Sequence, residues 1–298
     1  MLIVVLAVSG LIVSVLVIIL GISAWVAHEL TQAKRVPVYG HPTEFDLDYE
    51  DITFASRNDR IPLKGWYLCS PSESRCIILI QGQGHHRNSP GIRALQLGRD
   101  LVKHDYSVLL FDFRGRGESG GKRDSTGDRE QWDVMGAIDH VLARGIPLER
   151  IGLLGFSLGA TVALLVVAKE PRIAAVVSDS AWLDSFVELK QVPFWRFYLP
   201  AWFAFPIALM GRMFFGADFS KVRPIKVVSK IPRPIFFIHG QQDPVISFQE
   251  TQELYKASGN PEDRIWIVAN TGHVASYRRQ PEEYAAKVAS FFRRHIGE

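Results

Sequence analysis

The chain has 298 residues, of which 47% are hydrophobic and 22% are charged, so it can bury a full core in one large domain or two small ones and is not disordered. Its 34 basic and 31 acidic residues give a formal net charge of +3 without a long basic run, which argues against a nucleic-acid partner. With two cysteines and no Cys/His cluster at zinc spacing, the sequence has neither a disulfide framework nor a zinc site.

The first predicted element is the uncharged apolar run LIVVLAVSGLIVSVLVIILGISAWVA at residues 2–27. About 20 such residues span the core of a bilayer, so we predict a transmembrane helix, with residues 1–33 as a membrane anchor. A cleaved signal peptide is the alternative, but no Lys or Arg precedes the run, the run is too long, and no A-x-A site follows. Lys34 and Arg35 follow the span, so the positive-inside rule predicts a cytoplasmic position for the remaining chain.

After the anchor, two short runs at residues 52–56 and 63–68 predict an antiparallel strand pair. Strand and helix patterns then alternate, and the strand runs are apolar throughout, which is typical of a parallel sheet with helices on both faces. We therefore predict an α/β fold for residues 34–298. The further predicted strands are residues 76–81, 107–112, 151–155, 173–178, 235–238 and 264–268, and the predicted helices are residues 93–103, 129–143, 158–169, 249–257 and 281–295.

The alternation is interrupted at about residues 183–230, which predicts a cap or lid inserted over a working site. Its aromatic run at residues 193–215 is too short for a second span, because only 15 uncharged residues separate Arg196 from Arg212. A segment that lies at a membrane interface fits this composition better. An apolar cap would form a pocket for an acyl chain; the alternative is that the aromatic side chains only pack the cap onto the domain.

Residues Gly155-Phe156-Ser157-Leu158-Gly159 have the pattern G-x-S-x-G between a predicted strand and a predicted helix, which is the context of a nucleophile elbow. In such a turn the serine is strained, and a Cβ on either glycine would collide with the flanking strand and helix. Ser157 is therefore the predicted nucleophile. A glycine-rich turn with a bystander serine is the alternative.

A serine hydroxyl needs a base that takes its proton and an acid that orients the base. Asp243 and His273 each follow a predicted strand, so both should lie at the carboxyl edge of the sheet, and the chain order Ser, Asp, His is the expected one. We predict Asp243 as the acid and His273 as the base. Asp179 and Asp184 are competing acids, although Asp179 is better suited to brace the start of the insertion.

Three further histidines lie close to the predicted site in the sequence. His85 and His86 are adjacent, so their side chains should point apart and shape the rim, and His239 should pack under the loop of the predicted acid. Cys69 and Cys76 lie at the two ends of a short turn between predicted strands, where a disulfide bridge and two free thiols are both compatible with the sequence.

Acyl transfer also needs hydrogen-bond donors for the developing oxyanion, each worth about 3 kcal/mol. The backbone N–H of Leu158, at the start of a predicted helix, is one candidate. The loop Gln81-Gly82-Gln83-Gly84 follows the strand at residues 76–81, and the N–H of Gln83 is the second candidate. A simple tight turn is the alternative.

These motifs resemble the α/β-hydrolase superfamily, and within it the serine hydrolases related to single-span ABHD-type and Bem46-like proteins. The resemblance covers roughly residues 50–296. The run Asp112-Phe113-Arg114-Gly115-Arg116-Gly117-Glu118-Ser119 is similar to the D-x-R-G-x-G-x-S turn of the family, and Leu63-Lys64-Gly65-Trp66 is similar to its early hairpin. The family usually has His-Gly before the oxyanion loop, where this chain has Gln81-Gly82.

The resemblance implies the α/β-hydrolase fold and hydrolysis of an ester, thioester or amide without a metal or an organic cofactor. The leading hypothesis is a membrane-bound carboxylic ester hydrolase that acts on a small-molecule or lipid ester. A serine peptidase or amidase with the same three residues is the enzymatic alternative, because one triad serves both bonds. A catalytically silent binding protein on the same fold is the non-enzymatic alternative.

Overall fold

The computed structural model describes residues 1–296, without the side chains of residues 191–195. The last two residues of the predicted 34–298 domain and three side chains of the predicted aromatic run at residues 193–215 therefore lie outside the described part. The strands are β1 (Tyr49–Ala55), β2 (Pro62–Leu68), β3 (Cys76–Ile80), β4 (Ser107–Phe111), β5 (Ile151–Phe156), β6 (Ala175–Asp179), β7 (Ile235–Gly240) and β8 (Arg264–Val268). The helices are α1 (Leu2–Thr31), α2 (Ala94–Lys103), α3 (Glu130–Ala143), α4 (Leu158–Val167), α5 (Ser185–Phe197), α6 (Ala204–Met210), α7 (Phe248–Ser258), α8 (Ser276–Arg279) and α9 (Pro281–His295).

The strands of the described chain form one sheet in the order β1-β2-β4-β3-β5-β6-β7-β8. β2 pairs antiparallel with β1 and with β4, and every later pair is parallel. The predicted α/β fold, with an antiparallel opening and a parallel remainder, is confirmed. Because the carboxyl ends of parallel strands meet at one edge, the loops after β3, β5, β6, β7 and β8 lie together.

A hydrophobic core covers each face of the sheet. One core contains residues of α3, α4 and α7, and the other contains residues of α2 and α9. Strand β5 is buried along its whole length, because its side chains enter both cores.

Most predicted boundaries of helices and strands differ from the observed ones by one or two residues. The strand predicted at residues 173–178 begins at Ala175, because Ile173 is buried without belonging to the ladder, and an apolar pattern reports burial and not strand pairing.

Cys69 and Cys76 are free thiols, with Cys76 fully buried. Cys69 follows β2 and Cys76 begins β3, and β4 lies between these two strands in the sheet. Two strands that flank a third are about 9–10 Å apart, which is too far for a disulfide bridge. Burial raises the pKa of the Cys76 thiol to about 12, so it stays protonated and unreactive.

Helix α1 is the one helix among the described residues that is long and apolar enough to cross a membrane. Side chains 1–18 are exposed, whereas Val26 and Ala27 are fully buried against the segment of residues 183–230, which we call the cap. The cap contains α5, α6 and a π-helical turn at Gly211–Phe215, and its described residues form no continuous helix that could span a bilayer.

The end of α1 is also tied to the α/β domain through the loop that follows β4. The carbonyl of Thr31 accepts a hydrogen bond from the backbone N–H of Asp124 at 2.9 Å. Arg35 donates to the carbonyls of Gly117 at 2.9 Å and Gly121 at 2.8 Å. These bonds fix the helix against the domain, and they engage one of the two cations from which the membrane topology was predicted.

Candidate active site

The strand-to-helix turn between β5 and α4 has the geometry of a nucleophile elbow. Ser157 has φ 53° and ψ −117°, in a region that residues with a side chain rarely adopt. Its backbone N–H donates to the carbonyl of Asp179 at 2.9 Å, which holds the turn against β6. A Cβ on Gly155 would collide with the carbonyl of Gly159, and a Cβ on Gly159 would collide with the carbonyl of Ile80. The two glycines are therefore required by backbone packing.

Ser157, His273 and Asp243 form a continuous chain of hydrogen bonds. His273 lies in the loop after β8, with Nε2 3.0 Å from Oγ of Ser157. Its Nδ1 lies 2.6 Å from Oδ2 of Asp243, in the loop after β7. A carboxylate accepts only, so this network assigns the ring proton to Nδ1 and leaves Nε2 free to accept the serine proton.

The carboxylate of Asp243 is fully buried and receives several donors. Its Oδ1 accepts from the backbone N–H groups of Val245 at 2.8 Å and Ile246 at 3.0 Å. Burial alone would raise the pKa of Asp243, but hydrogen bonds from His239, His273 and the backbone of Ile246 outweigh it and hold the pKa well below its ordinary value. Asp243 is therefore ionised at neutral pH.

The two competing acids hold other parts of the fold. The carboxylate of Asp179 accepts from the hydroxyls of Ser180 at 2.9 Å and Tyr284 at 3.1 Å. Burial raises its pKa to about 6. Asp184 accepts from the backbone N–H of Phe186 at 2.9 Å and from Nε of Arg223 at 2.6 Å, so Asp184 braces the start of the cap. The structure pairs His273 with Asp243 and with neither competitor.

Both predicted oxyanion donors lie beside Ser157. Leu158 is the first residue of α4, where backbone N–H groups have no partner within the helix. In the loop after β3, a Cβ on Gly82 would lie 3.4 Å from Cβ of Ser157, so this loop contacts the serine directly. The backbone N–H of Gln83 has no hydrogen-bond partner among residues 1–296. Leu158 and Gln83 therefore stay the predicted donors for an anionic oxygen.

Gln81 stands where the family usually has histidine. Its side chain is buried, and Nε2 donates to the carbonyl of Arg87 at 3.0 Å, which closes the loop. Asp112 is also buried there and accepts from the backbone N–H of Arg87 at 2.5 Å and from the Arg87 guanidinium at 2.7 Å. The D-x-R-G-x-G-x-S turn thus holds the loop that carries Gln83.

The three nearby histidines differ in burial and in their hydrogen-bond partners. His85 is exposed, whereas His86 is buried and accepts from the backbone N–H of Asn88 at 3.2 Å, so the two side chains point apart. His239 is fully buried under the acid loop, and its Nε2 lies 3.1 Å from Oδ2 of Asp243. Sequence reasoning put His239 under this loop but missed that contact, because four-residue spacing brings side chains together in a helix and not at the end of a strand.

A cavity of about 680 Å³ lies next to the loops that carry Gln83 and Asp243. Gln83 lies on one side and residues 244–246 of the acid loop lie on another. Leu189 and Arg196 of the cap, together with Trp182 just before the cap, line the rest of the wall. Leu30, from the last turn of α1, also lines it. Within residues 1–296, no group of three His, Cys, Asp or Glu side chains is placed to hold a metal ion.

Residues 76–221 match a family model described as the alpha/beta hydrolase fold. The Pyrococcus furiosus esterase Pf2001 is similar in structure, with a TM-score of 0.73 and 26% identity over 90% of this chain and 99% of that protein. YqkD of Bacillus subtilis is 28% identical over 77% of this chain and 74% of its own length. The lysophosphatidylserine lipase ABHD12 of Xenopus tropicalis is 30% identical, but the match covers 64% of this chain and only 48% of ABHD12.

Proposed function

We propose that this chain, which is an α/β-hydrolase, is a membrane-anchored serine hydrolase that cleaves a carboxylic ester through an acyl-enzyme intermediate. The observation that carries the proposal is the position of His273, 3.0 Å from the Ser157 hydroxyl and 2.6 Å from the buried Asp243 carboxylate. This arrangement supports Ser157 as nucleophile, His273 as general base and Asp243 as the acid that orients it.

In the proposed reaction, Oγ of Ser157 attacks the ester carbonyl carbon while its proton moves to Nε2 of His273. The carbonyl electrons move to the oxygen, which accepts hydrogen bonds from the backbone N–H groups of Leu158 and Gln83. The alcohol leaves as the tetrahedral intermediate collapses, taking the proton from Nε2 and leaving an acyl group on Ser157. Water then attacks the acyl group by the same proton transfers and releases the acid.

Esters are favoured over amides because an esterase and a lipase are among the proteins that this chain resembles. The cavity next to the loops of Gln83 and Asp243 is large enough for part of an acyl chain, and the apolar side chains Leu30 and Leu189 lie on its wall. These features support a small-molecule or lipid ester, including an acyl thioester, as the substrate class.

The proposed anchor is α1, with the catalytic domain on the cytoplasmic side. Lys34 and Arg35 directly follow the apolar helix, and the positive-inside rule supports this topology. Glycosylation acceptor sites introduced at the C-terminus would test it. Glycosylation of the C-terminus in a microsomal system would place that end in the lumen and contradict the proposed orientation.

The decisive experiment is hydrolysis of nitrophenyl esters, from acetyl to palmitoyl, by the full-length protein and by Ser157→Ala. We expect the wild type to hydrolyse at least one ester and to react with a fluorophosphonate probe, and we expect Ser157→Ala to lose at least about 1,000-fold in kcat and all labelling. Aminoacyl anilides assayed in parallel measure amide cleavage. Folded wild type that cleaves only anilides would favour the peptidase alternative, and one that cleaves neither and takes no label would favour the binding protein.

A further inference from the structure

The cap carries a row of large apolar side chains that face outward. Ala201–Phe215 is a continuous apolar helical segment, formed by a 3₁₀ turn, α6 and the π-helical turn. Five of its side chains are 49–64% exposed, and we call them the cap face: Trp202, Phe205, Leu209, Met213 and Phe214. Four of them recur at intervals of three or four residues, so they lie along one side of the segment.

The opposite side of the same segment is buried against α1. Ala204, Ile207 and Met210 pack in one cluster with Val26 and Ala27. A helix that is apolar all round is normally covered all round. In the described part of the chain, the cap face has no such cover, and a row of exposed apolar side chains on one surface is typical of an interaction site.

The position of α1 shows which surface would meet the cap face. The exposed apolar part of α1, residues 2–18, is about 26 Å long at 1.5 Å per residue, close to the roughly 30 Å thickness of a bilayer core. Ile19 and Ile22, just beyond this part, pack against the cluster that α1 and the cap form together. The cap therefore begins at the level where the helix leaves the hydrocarbon.

Side chains at the same level have the composition of a membrane interface. Trp25 is 56% exposed, and its ring lies 5.5 Å from that of Phe197. Tryptophan is enriched at the boundary between lipid tails and head groups. Arg196 and Arg212 are exposed in the cap, and their long side chains can reach the head groups while the aromatic rings enter the acyl layer.

We propose that the cap face lies in the interfacial layer of the membrane beside α1, so that the active-site cavity opens at the lipid surface. Because the cavity is lined by Leu30 of α1 and by Leu189 and Arg196 of the cap, a membrane-resident ester reaches it between the anchor and the cap. The substrate class, a membrane-resident ester with a long acyl chain, rests on the proposed function. The position of the cap face does not depend on it.

Single cysteines in the full-length protein test the membrane contact directly. Cys69→Ser removes the one partly exposed thiol. A polarity-sensitive dye is then attached to a single new cysteine, at Phe205→Cys or at Phe214→Cys. Glu262→Cys is the control, because Glu262 is exposed just before β8, at the opposite edge of the sheet. In lipid nanodiscs with nitroxide labels near the head groups, we expect dyes at positions 205 and 214 to be quenched at least threefold more than the dye at 262. Equal quenching would refute the proposal, as would protection of positions 205 and 214 by a second copy of the chain in detergent.

A double variant, Phe205→Ser with Phe214→Ser, tests the substrate route. We expect hydrolysis of a long-chain ester carried in vesicles to fall about tenfold, because the cavity is no longer held at the lipid surface, while hydrolysis of a soluble acetate ester stays within twofold. Unchanged vesicle hydrolysis would overturn the route between anchor and cap. If the protein hydrolyses no ester at all, the proposed function fails, and the quenching result still decides where the cap face lies.

Discussion

His239 and His273 share one carboxylate oxygen: Nε2 of His239 lies 3.1 Å from Oδ2 of Asp243, and Nδ1 of His273 lies 2.6 Å from the same atom. His239 is also held by the hydroxyl of Thr251 at 2.6 Å and the carbonyl of Ile246 at 3.0 Å. The acid that orients the proposed base is thus itself positioned by a second, fully buried histidine.

Replacing His239 should weaken catalysis without removing a reacting group. We expect His239→Leu to lower kcat about tenfold, with KM nearly unchanged, because Asp243 loses a donor and its pKa rises toward the ordinary value. An ionised Asp243 is needed, so the loss relative to the wild type should grow as the pH falls toward the ordinary carboxyl value of 3.8. His239→Gln should restore part of the activity. A pH-independent loss that Gln does not rescue would point to damaged packing instead.

Two buried aspartates near the elbow should respond differently to the same change. We expect Asp243→Asn to lower kcat about 10,000-fold, because an amide favours the wrong tautomer of His273. Asp179→Asn should keep activity within about tenfold, because Asp179 is bonded to Ser180 and Tyr284 and not to the base. Steady-state kinetics on one ester, with circular dichroism to verify folding, makes the comparison. The reverse order of effects would assign the acid to Asp179.

The elbow glycines should tolerate no side chain. We expect Gly155→Ala to destabilise the protein by more than about 3 kcal/mol or to prevent folding, because the added Cβ collides with the backbone carbonyl of Gly159. Gly91→Ala is the matched control, because its nearest neighbour would be the Ser89 hydroxyl at 3.8 Å, an ordinary contact. Urea unfolding of both variants measures the difference. Equal stabilities would mean that the turn relaxes around a side chain.

Two carboxyl groups, Glu188 of the cap and Glu250 of α7, lie close together where these segments meet. Burial, together with the nearby charge of Glu250, raises the pKa of Glu188 to about 7, and Glu250 accepts from the backbone N–H of Leu183 at 2.7 Å. A raised carboxyl pKa favours the protonated folded state, so this contribution to stability is complete below the ordinary value of 4.5 and is lost as the pH rises through about 7.

Removing the charge should therefore stabilise the protein at high pH. We expect Glu188→Gln to exceed the wild type by about 1 kcal/mol at pH 8 and to match it at pH 5, allowing for partial solvent screening. Thermal unfolding at both values tests this, with Glu253→Gln, on the exposed side of α7, as the control. A stability difference that is the same at both pH values would contradict a titrating pair.

Much of the fold and of the candidate site could be predicted from local sequence patterns. Apolar runs such as those of β3 to β5 indicate strands buried on both faces, and the glycines around Ser157 indicate a turn that only a residue without Cβ can complete. Asp243 and His273 stand out because each follows a predicted strand, and carboxyl ends of parallel strands share an edge. These inferences depend on the few residues around each position.

Tertiary structure decided what depends on the order of strands and on contacts between distant segments. The insertion of β4 between β2 and β3 separates Cys69 from Cys76, although the two are only seven positions apart in the chain. The bond from His239 to Asp243 and the packing of α1 on the cap are likewise absent from local pattern. Periodicity reports which side chains are buried, whereas pairing partners follow from the packing of the whole chain.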